Sequence, residues 1–248
     1  MCTFSFVPTK DGYYAAMNRD ELLTRSQALP PSTFQAGDLL AVYPFETGGG
    51  TWIACNQHGV TFALLNWNLA RSNTIAKQHS RGKLIPTLIG KSSLDEVAQA
   101  WAQLNLDGFL PFRLVGIFQD QQQILEWRWQ GFSLEQLSFP WKPRHWFSSG
   151  ASDEMAEGIR GEACRFAWQE QDAGSLTWLR RLHSSHGIAA GPFSVCAHRP
   201  DAGTVSYSEI AFDTNVATFR YMSGAPCLNS PRPSTIDSPV HFLLKVSK

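Results

Sequence analysis

The sequence predicts an α+β fold in which β-sheets pack together and helices lie outside them. Runs rich in β-branched and aromatic residues occupy both ends of the chain, and three helical patterns lie between them. Because strands and helices do not alternate, this order favours mostly antiparallel sheets over repeated βαβ units. The 248 residues are 43% hydrophobic, enough for one large core, and no repeat or long linker divides them. We therefore expect a single domain spanning residues 1–248.

The predicted strands come mostly as hairpins, in which two β-rich runs flank a turn. In the clearest case, Gly59 supplies the left-handed turn residue between two such runs. The predicted hairpins are 2–7 with 13–18, 51–56 with 60–67, and 112–118 with 123–129. Further strands are predicted at 192–198, 204–212 and 216–222, and the Pro/Ser-rich segment 229–239 predicts a loop.

Residues 93–104 carry the clearest helical pattern in the chain. Ser93 can cap the N-terminus of this helix, and Asp95 and Glu96 suit its positive end. Apolar residues recur at helical spacing, at Leu94, Val97, Ala98, Trp101 and Leu104. Two further helices are predicted at 152–169 and 174–184.

Composition and charge limit the partners and compartments to be expected. Lys+Arg and Asp+Glu number 21 each, so no basic field draws the chain to nucleic acid or to an anionic membrane. No apolar run approaches the roughly 18 residues of a membrane span, and the first residues lack a secretory signal pattern. The five cysteines are scattered and lack Cys-x-x-Cys spacing, so neither a disulfide framework nor a structural zinc site is predicted. We expect a cytoplasmic protein that binds a small molecule and needs no cofactor or metal.

Cys2 and the Asn-Arg-Asp-Glu sequence that follows it form the first candidate site. If residues 8–12 form a five-residue turn, Cys2 pairs with Asn18, and Asp20 lies diagonally on the same face. Opposed side chains on one face lie roughly 4.5–5.5 Å apart at Cβ. The register therefore predicts that the thiol, Arg19 and Asp20 are neighbours.

A cysteine in position two has further chemical value. Its small side chain suits the removal of Met1, which would leave a thiol and a free α-amine on one residue. Because such an amine has a pKa of about 7.7–8.0, it can take the thiol proton near neutral pH, as it does for N-terminal threonine nucleophiles. Arg19 would lower the thiol pKa or bind a substrate carboxylate, and Asp20 would orient the amine or the thiol. The alternative is that Cys2 is a small buried apolar residue and that Arg19 and Asp20 form a surface ion pair.

These residues resemble the NRDE-motif family, which includes the transport and Golgi organisation protein 2 proteins and looks like an outlying branch of the N-terminal-nucleophile hydrolases. The resemblance covers most of the chain. It is carried by Met1-Cys2, Asn18-Arg19-Asp20-Glu21, Ser80-Arg81-Gly82 and the late segment AGTVSYSEI. The resemblance implies a four-layer αββα fold, with two stacked sheets between outer helices.

The sequence is also similar to the bile-salt hydrolases and penicillin V acylases, which start with Met-Cys-Thr. This similarity implies that Cys2 is the nucleophile and that Arg19 and Asp20 are its partners. It also implies that the backbone N–H of Asn66 contributes to an oxyanion hole, although Asn66 as an ordinary strand-end residue is an equal alternative. The acylases place an asparagine side chain in that hole, where this chain has Ser149, a residue of shorter reach.

The substrate is expected to contact side chains beside this centre. Asn18, Trp67 and Ser149 are the predicted substrate-binding residues. Trp67, together with Trp141 and Trp146, could wall a pocket for an apolar acyl group.

Two other groups of residues could bind a metal or a haem-like ligand. His183 and His186 have the i, i+3 spacing of ligands on one helix, but no acidic residue accompanies them, and capping or surface positions are favoured. Cys196 and His198 share one face of a predicted strand and could face haem. A buried cysteine beside a hydrogen-bonded histidine is the favoured alternative.

The sequence thus leaves two main functions. The first is an N-terminal-nucleophile cysteine hydrolase acting on a non-peptide carbon–nitrogen bond, a linear amide. The second is a non-catalytic carrier of haem or lipid with the same fold, since members of the resembling family are associated with haem handling and lipid metabolism. A structural adaptor ranks third.

Overall fold

The computed structural model describes residues 2–68, 79–187, 189–214, 216–228 and 240–245, which form two large β-sheets and four α-helices. Met1 and the loop predicted at 229–239 lie outside the described residues. The strands are β1 Cys2–Pro8, β2 Tyr13–Leu22, β3 Leu29–Ala36, β4 Leu39–Phe45, β5 Ile53–Asn56, β6 Val60–Asn66, β7 Phe112–Phe118, β8 Gln123–Trp129, β9 Leu134–Phe139, β10 Arg144–Ser148, β11 Ala202–Phe212, β12 Val216–Ser223 and β13 Val240–Lys245. The helices are α1 Leu84–Leu88, α2 Leu94–Gln103, α3 Asp153–Ala167 and α4 Leu176–Ser184, with a 3₁₀ helix at Arg81–Lys83. None of the described helices has the length and apolar character needed to cross a membrane.

The strands form two antiparallel sheets. The first sheet has six strands in the order β10-β1-β2-β11-β12-β13, and the second has seven strands, β3 to β9, in chain order. Within the first sheet, β1 lies between β10 and β2, so the strand that carries Cys2 is paired on both edges.

The two sheets stack face to face, and helices cover each outer face. Apolar side chains from both sheets, such as Phe4 and Ile53, fill the layer between them. Helices α1 and α2 cover the seven-stranded sheet through residues such as Trp101, and α3 and α4 cover the six-stranded sheet through residues such as Leu182. Burial of apolar area in these three layers, at about 25 cal/mol per Å², drives their association. The predicted α+β fold and its αββα order are confirmed.

Most of the predicted elements are present. The three predicted hairpins correspond to β1–β2, β5–β6 and β7–β8, and the last of these has the predicted bounds, 112–118 and 123–129. Helix α2 lies within the predicted stretch 93–104, and α3 and α4 lie within the two later predicted helices. At the start of α2, the Ser93 hydroxyl accepts from the Glu96 N–H, while the Glu96 carboxylate accepts from the Ser93 N–H. This reciprocal capping box explains why the sequence signal for α2 is clear.

The prediction of a strand at 192–198 is wrong. The segment forms turns, because its backbone bonds within the loop region: the Cys196 N–H donates to the Ser185 carbonyl, and the His198 N–H donates to the Gly191 carbonyl. Strands β3, β4, β9, β10 and β13 are present although the sequence patterns did not indicate them.

Asn18 and His183 join β2 to the helical layer. The Asn18 amide donates to the carbonyls of His183 and Val195, at 2.8 Å each. The His183 ring bonds the Asn18 side-chain oxygen at 3.0 Å and the Ser5 hydroxyl at 2.8 Å, and His145 contacts the same hydroxyl at 2.8 Å. Burial lowers the pKa of His183 to about 3 and that of His145 to about 4, so both rings are neutral at physiological pH.

Acidification should therefore destabilise the fold, and His183→Gln should weaken this pH dependence. In the unfolded chain a histidine binds a proton below about pH 6.5, whereas in the folded chain His183 and His145 stay neutral to about pH 3 and 4. Their contribution to stability is thus complete above the unfolded pKa and is lost as pH falls towards the folded pKa. Between about pH 7 and pH 5, each histidine should lower the free energy of unfolding by about 2 kcal/mol.

Urea unfolding at a series of pH values measures this effect. The slope of unfolding free energy against pH is proportional to the number of protons taken up on unfolding. In His183→Gln this number should fall by about one between pH 6 and pH 5, because one of the two titrating groups is gone. Parallel slopes for the wild type and the variant would contradict the proposed role of His183.

Candidate active site

The register of β1 and β2 sets the surroundings of Cys2. Cys2 pairs with Arg19, so the predicted pairing of Cys2 with Asn18 is wrong by one residue. The error comes from Pro8, which belongs to β1 and leaves a turn of four residues, 9–12, instead of five. Arg19 therefore lies directly opposite the nucleophile candidate.

Asn18 lies on the other face of the sheet. Because side chains alternate along a strand, Asn18 faces the helical layer, where its amide group donates to the carbonyls of His183 and Val195. Asn18 is therefore not beside the thiol, contrary to the predicted substrate contact. Its contacts are structural, joining β2 to α4 and to the loop before β11.

Cys2 lies on the wall of a cavity of about 200 Å³ whose walls come from both sheets. The lining residues are Cys2, Arg19, Asp20, Glu21, Arg25, Glu46, Thr51, Trp52, Leu64, Asn66, Ser80, Arg81 and Gly82. The structure thus brings Arg19, Asp20 and Asn66 together with the Cys2 thiol. The predicted substrate-binding residues Trp67 and Ser149 are not part of this lining.

Arg19 is held beside Cys2 by charge and by an aromatic ring. Its Nη2 lies 2.5 Å from Oε1 of Glu46 and 3.5 Å from Oε2 of Glu21. Its guanidinium also lies over the Trp52 ring, 4.3 Å from the ring centroid. These contacts fix the orientation of the guanidinium on the cavity wall.

Arg81 is a cavity residue that sequence reasoning did not select. Its Nη1 donates to the Pro111 carbonyl at 2.9 Å, and none of the described carboxylates forms an ion pair with it. Burial lowers the pKa of Arg81, while attraction to the Cys2 thiolate and to Glu21 opposes that shift. The Ser80-Arg81-Gly82 motif was a signal for this residue, but the motif alone did not place it at the site.

The backbone of Asn66 directs its N–H to the edge of β6 that borders the cavity. The Trp67 N–H donates on the β7 side, and the Leu64 N–H donates to the Trp52 carbonyl on the opposite side. Because N–H directions alternate along a strand, the Asn66 N–H shares the direction of the Leu64 N–H. At this point the strand has passed the end of β5, so the N–H is directed to the region where Trp52 lines the cavity.

Ser149 and Trp67 lie beside the cavity without lining it. The Ser149 N–H donates to the Asp153 carboxylate in the first turn of α3, and its hydroxyl accepts from the Ala151 N–H at 3.3 Å. Asn68 follows Trp67 and donates to the Ser149 carbonyl at 3.1 Å, which joins the two segments. Substrate contacts of Ser149 and Trp67 stay predictions.

Asp20 and Arg160 form a fully buried ion pair behind Cys2. The Arg160 Nη2 lies 3.1 Å from Oδ2 of Asp20, and the Thr204 hydroxyl donates to Oδ1 at 2.7 Å. The Arg160 Nη1 donates to the Thr3 hydroxyl at 2.8 Å and to the Cys2 carbonyl at 3.3 Å. The Asp20 carboxylate is thereby bound to α3 and β11. The backbone N–H of Asp20 bonds to the Cys2 thiol.

Burial raises the pKa of the Cys2 thiol. The positive charge of Arg19 and the N–H of Asp20 oppose this shift, and the negative charge of Asp20 adds to it. The predicted lowering of the thiol pKa by Arg19 is therefore outweighed by desolvation. At neutral pH the residue is a thiol that needs a base to ionise it.

The other candidate ligand residues lie away from the cavity. His183 and His186 do not act together, because His183 is buried against Ser5, whereas His186 lies 3.1 Å from His198. Cys196 and His198 are neighbours in the loop before β11, with Sγ and Nε2 3.8 Å apart. Neither pair lines the cavity that contains the thiol.

The architecture is similar to that of a solved hydrolase. A cysteine-to-alanine mutant of the conjugated bile acid hydrolase from Clostridium perfringens aligns with 98% of this chain and 96% of its own, with a TM-score of 0.58 and 12% identity. An arginine-to-leucine variant of the same enzyme aligns with 100% of this chain and 98% of its own, with a TM-score of 0.58 and 11% identity. Penicillin V acylase from Agrobacterium tumefaciens aligns with 99% of this chain and 86% of its own, with a TM-score of 0.49 and 11% identity. The bile acid hydrolase structures establish that this chain has the N-terminal-nucleophile hydrolase fold.

The family is shown by sequence. The chain belongs to the Transport and Golgi organisation 2 family, whose sequence model matches residues 1–160. That match includes Cys2, the Asn-Arg-Asp-Glu sequence and Arg81, and it confirms the family resemblance seen in the motifs. A comparison with curated protein sequences finds no match.

Replacing Arg160 with Met should destabilise the fold by about 3–5 kcal/mol, because Asp20 would keep a buried and unpaired charge. Adding Asp20→Asn to this variant should recover part of the loss. Arg181→Met is the matched control: Arg181 pairs with Glu170 and Asp172 on the surface, so its loss should leave the unfolding midpoint nearly unchanged. Denaturant unfolding measures all three variants, and equal losses for Arg160 and Arg181 would contradict this account.

Proposed function

We propose that this protein is an N-terminal-nucleophile cysteine hydrolase that cleaves a linear, non-peptide amide. One observation carries the proposal: the Cys2 thiol shares a small cavity with Arg19, Arg81 and the strand end at Asn66. A nucleophile, fixed positive charge and a backbone N–H donor are the groups that acyl transfer requires. The fold shared with the bile acid hydrolase supports the same reaction class.

The mechanism needs a base at Cys2, because burial raises the thiol pKa. Removal of Met1 would supply one, since the α-amine of Cys2 would then be free, with a pKa of about 7.7–8.0. The amine takes the thiol proton and becomes an ammonium group beside the thiolate. In this scheme Arg160, by holding the Cys2 carbonyl, positions the backbone that carries both groups.

The thiolate then attacks the amide carbonyl, and a carbon–sulfur bond forms. The Asn66 N–H donates to the oxyanion that develops, an interaction worth about 10²–10³ in rate where a comparable donor was removed. Collapse breaks the carbon–nitrogen bond, and the ammonium proton passes to the leaving nitrogen. Water, deprotonated by the same amine, hydrolyses the thioester, which releases the acid and restores the thiol.

The charges of the cavity favour a substrate that carries an acidic group. Arg19 and Arg25 are already paired with Glu46, whereas Arg81 has no described carboxylate partner. A carboxylate on the substrate would give Arg81 a charge-assisted hydrogen bond, worth about 1.5–3 kcal/mol. The cavity volume of about 200 Å³ suits the amide and a few flanking atoms. An N-acyl amino acid of modest size meets both requirements.

Acyl transfer can be tested with N-acyl amino acids and with matched N-acyl amines that lack the carboxylate. Wild-type protein should form a thioester on Cys2, visible by peptide mass spectrometry, and Cys2→Ala should lower hydrolysis by at least about 1,000-fold. Arg81→Met should raise KM for the acidic substrates about 10- to 100-fold and leave the amines unaffected. Arg25→Met, which removes a cavity arginine already paired with Glu21 and Glu46, is the matched control.

Intact mass of the same sample reports whether Met1 has been removed. Retention of Met1 in an active sample would exclude the α-amine as the base. Absence of a Cys2 adduct, or hydrolysis that survives Cys2→Ala, would exclude the nucleophile.

One observation favours the alternative function, a carrier of haem or lipid. A cleft of about 750 Å³ lies between α3, α4 and the loop before β11, and much of its wall is apolar. Its apolar residues include Ile159, Phe166, Leu182, Phe193 and Val195. The cleft is separate from the Cys2 cavity, so the two functions predict different sensitive residues.

Ligand titration separates the two functions. A carrier should bind haem or a fluorescent fatty acid in a manner that survives Cys2→Ala and is lost in Phe193→Arg, which would place a charge in the cleft. A hydrolase without carrier function should show the reverse pattern: activity lost in Cys2→Ala and retained in Phe193→Arg.

A further inference from the structure

A second group of reactive side chains lies apart from the Cys2 cavity. His186 follows α4, Cys196 and His198 lie in the loop before β11, and Cys227 follows β12. Their ligand atoms all lie within 4.8 Å of one another. None of the four lines the Cys2 cavity.

Ordinary hydrogen bonding does not account for this close approach. The Nε2 of His198 lies 3.1 Å from Nε2 of His186, 3.2 Å from Sγ of Cys227 and 3.8 Å from Sγ of Cys196. A ring nitrogen offers either one proton or one lone pair, so it can bond well to one of these atoms at a time. A cation at the centre would accept an electron pair from each of the four.

The three distances from His198 Nε2 are close to those of tetrahedral coordination. With Zn–S of about 2.3 Å and Zn–N of about 2.0–2.1 Å, a tetrahedron places two nitrogens about 3.4 Å apart and a nitrogen and a sulfur about 3.6 Å apart. The three observed distances, 3.1, 3.2 and 3.8 Å, scatter around these values. We infer that His186, Cys196, His198 and Cys227 bind one zinc ion through two thiolates and two imidazoles.

The backbone around the cluster is already arranged to present these ligands. The Cys196 N–H is bonded to the Ser185 carbonyl, which holds the loop against the end of α4, next to His186. The Gly224 N–H donates to the Val205 carbonyl, and the turn that follows brings Cys227 to the same place. Each thiol would release its proton to solvent as it enters the coordination sphere.

Four protein ligands fill a tetrahedral site, so the ion is structural and has no open position for substrate. It would tie the loop before β11 to the end of β12. The same loop reaches the buried ion pair, because the Ala197 N–H donates to the Thr204 hydroxyl, which donates to Asp20. The metal would therefore stabilise the surroundings of Asp20 from a distance.

The sequence conceals this site because its ligands lack the usual spacing. Cys196 and His198 are two residues apart, and the other two ligands come from separate elements. The absence of Cys-x-x-Cys therefore led to the expectation of no structural zinc site, which this inference reverses.

Metal content and cobalt spectroscopy test the site. Protein purified without a histidine tag is equilibrated with zinc and desalted, and its metal is measured by mass spectrometry. We expect about one zinc ion per chain, and at least a tenfold lower content in Cys227→Ala. Cys164→Ala, which removes a buried cysteine of α3, and Cys2→Ala are matched controls that should keep the wild-type content. Cobalt-substituted wild type should show the intense visible bands of a tetrahedral site and a thiolate charge-transfer band.

Three results would overturn the inference. They are a wild-type zinc content below about one tenth per chain, undiminished zinc in Cys227→Ala, and a mass deficit of two hydrogens that maps to a disulfide between Cys196 and Cys227. If Cys227→Ala does not fold, the cobalt spectrum of the wild type decides, because octahedral bands without charge transfer would exclude the site. Since Cys2→Ala is measured as well, the zinc site and the hydrolase function can fail independently.

Discussion

The contact between Arg160 and Asp20 organises the region around the thiol. Arg160 reaches from α3 into the six-stranded sheet and bonds to Asp20 and Thr3, and it also contacts the carbonyls of Cys2 and Ser148. A buried ion pair is stable only when further hydrogen bonds compensate the loss of hydration, and here Thr204 supplies one to the carboxylate. β1, β2, β10, β11 and α3 are thus brought together at one point, and the nucleophile candidate lies at that point.

The strand β2 serves two faces of the fold with consecutive residues. Arg19 faces the cavity and is fixed by Glu46 and Trp52, whereas Asn18 faces the helices and is fixed by His183. Because successive side chains of a strand point to opposite faces of the sheet, one short motif can supply a charged residue to the cavity and a residue that holds the sheet to the helices. The chain has no net charge, so the electrostatic character of the site comes from this local placement and from Arg81.

Local chemistry in the sequence was sufficient to predict the hairpins and α2, since turn residues and the capping box act within a few positions. The register of β1 and β2 was missed by one residue because Pro8 can either end a strand or begin a turn, and cross-strand packing decides between them. The irregular course of residues 192–198 depends on hydrogen bonds to the carbonyls of Ser185 and Gly191 in the same loop region, and β-rich composition does not reveal them. Arg81 reaches the cavity because two loops that are separate in sequence approach each other, and there the Thr51 N–H donates to the Gly82 carbonyl. Local sequence does not reveal such a contact.

The position of β1 between β10 and β2 has a consequence for the order of events during folding. Arg160, which holds the Cys2 carbonyl, follows Cys2 by 158 residues, and Thr204, which completes the Asp20 network, follows Asp20 by 184 residues. Contacts of such high sequence separation form late, because loop closure must precede them. Arg19 is already opposite Cys2 in the local β1–β2 hairpin, whereas the Asp20 network is complete only after α3 and β11 have joined the sheet. Assembly of the site thus requires elements that are far apart in the sequence.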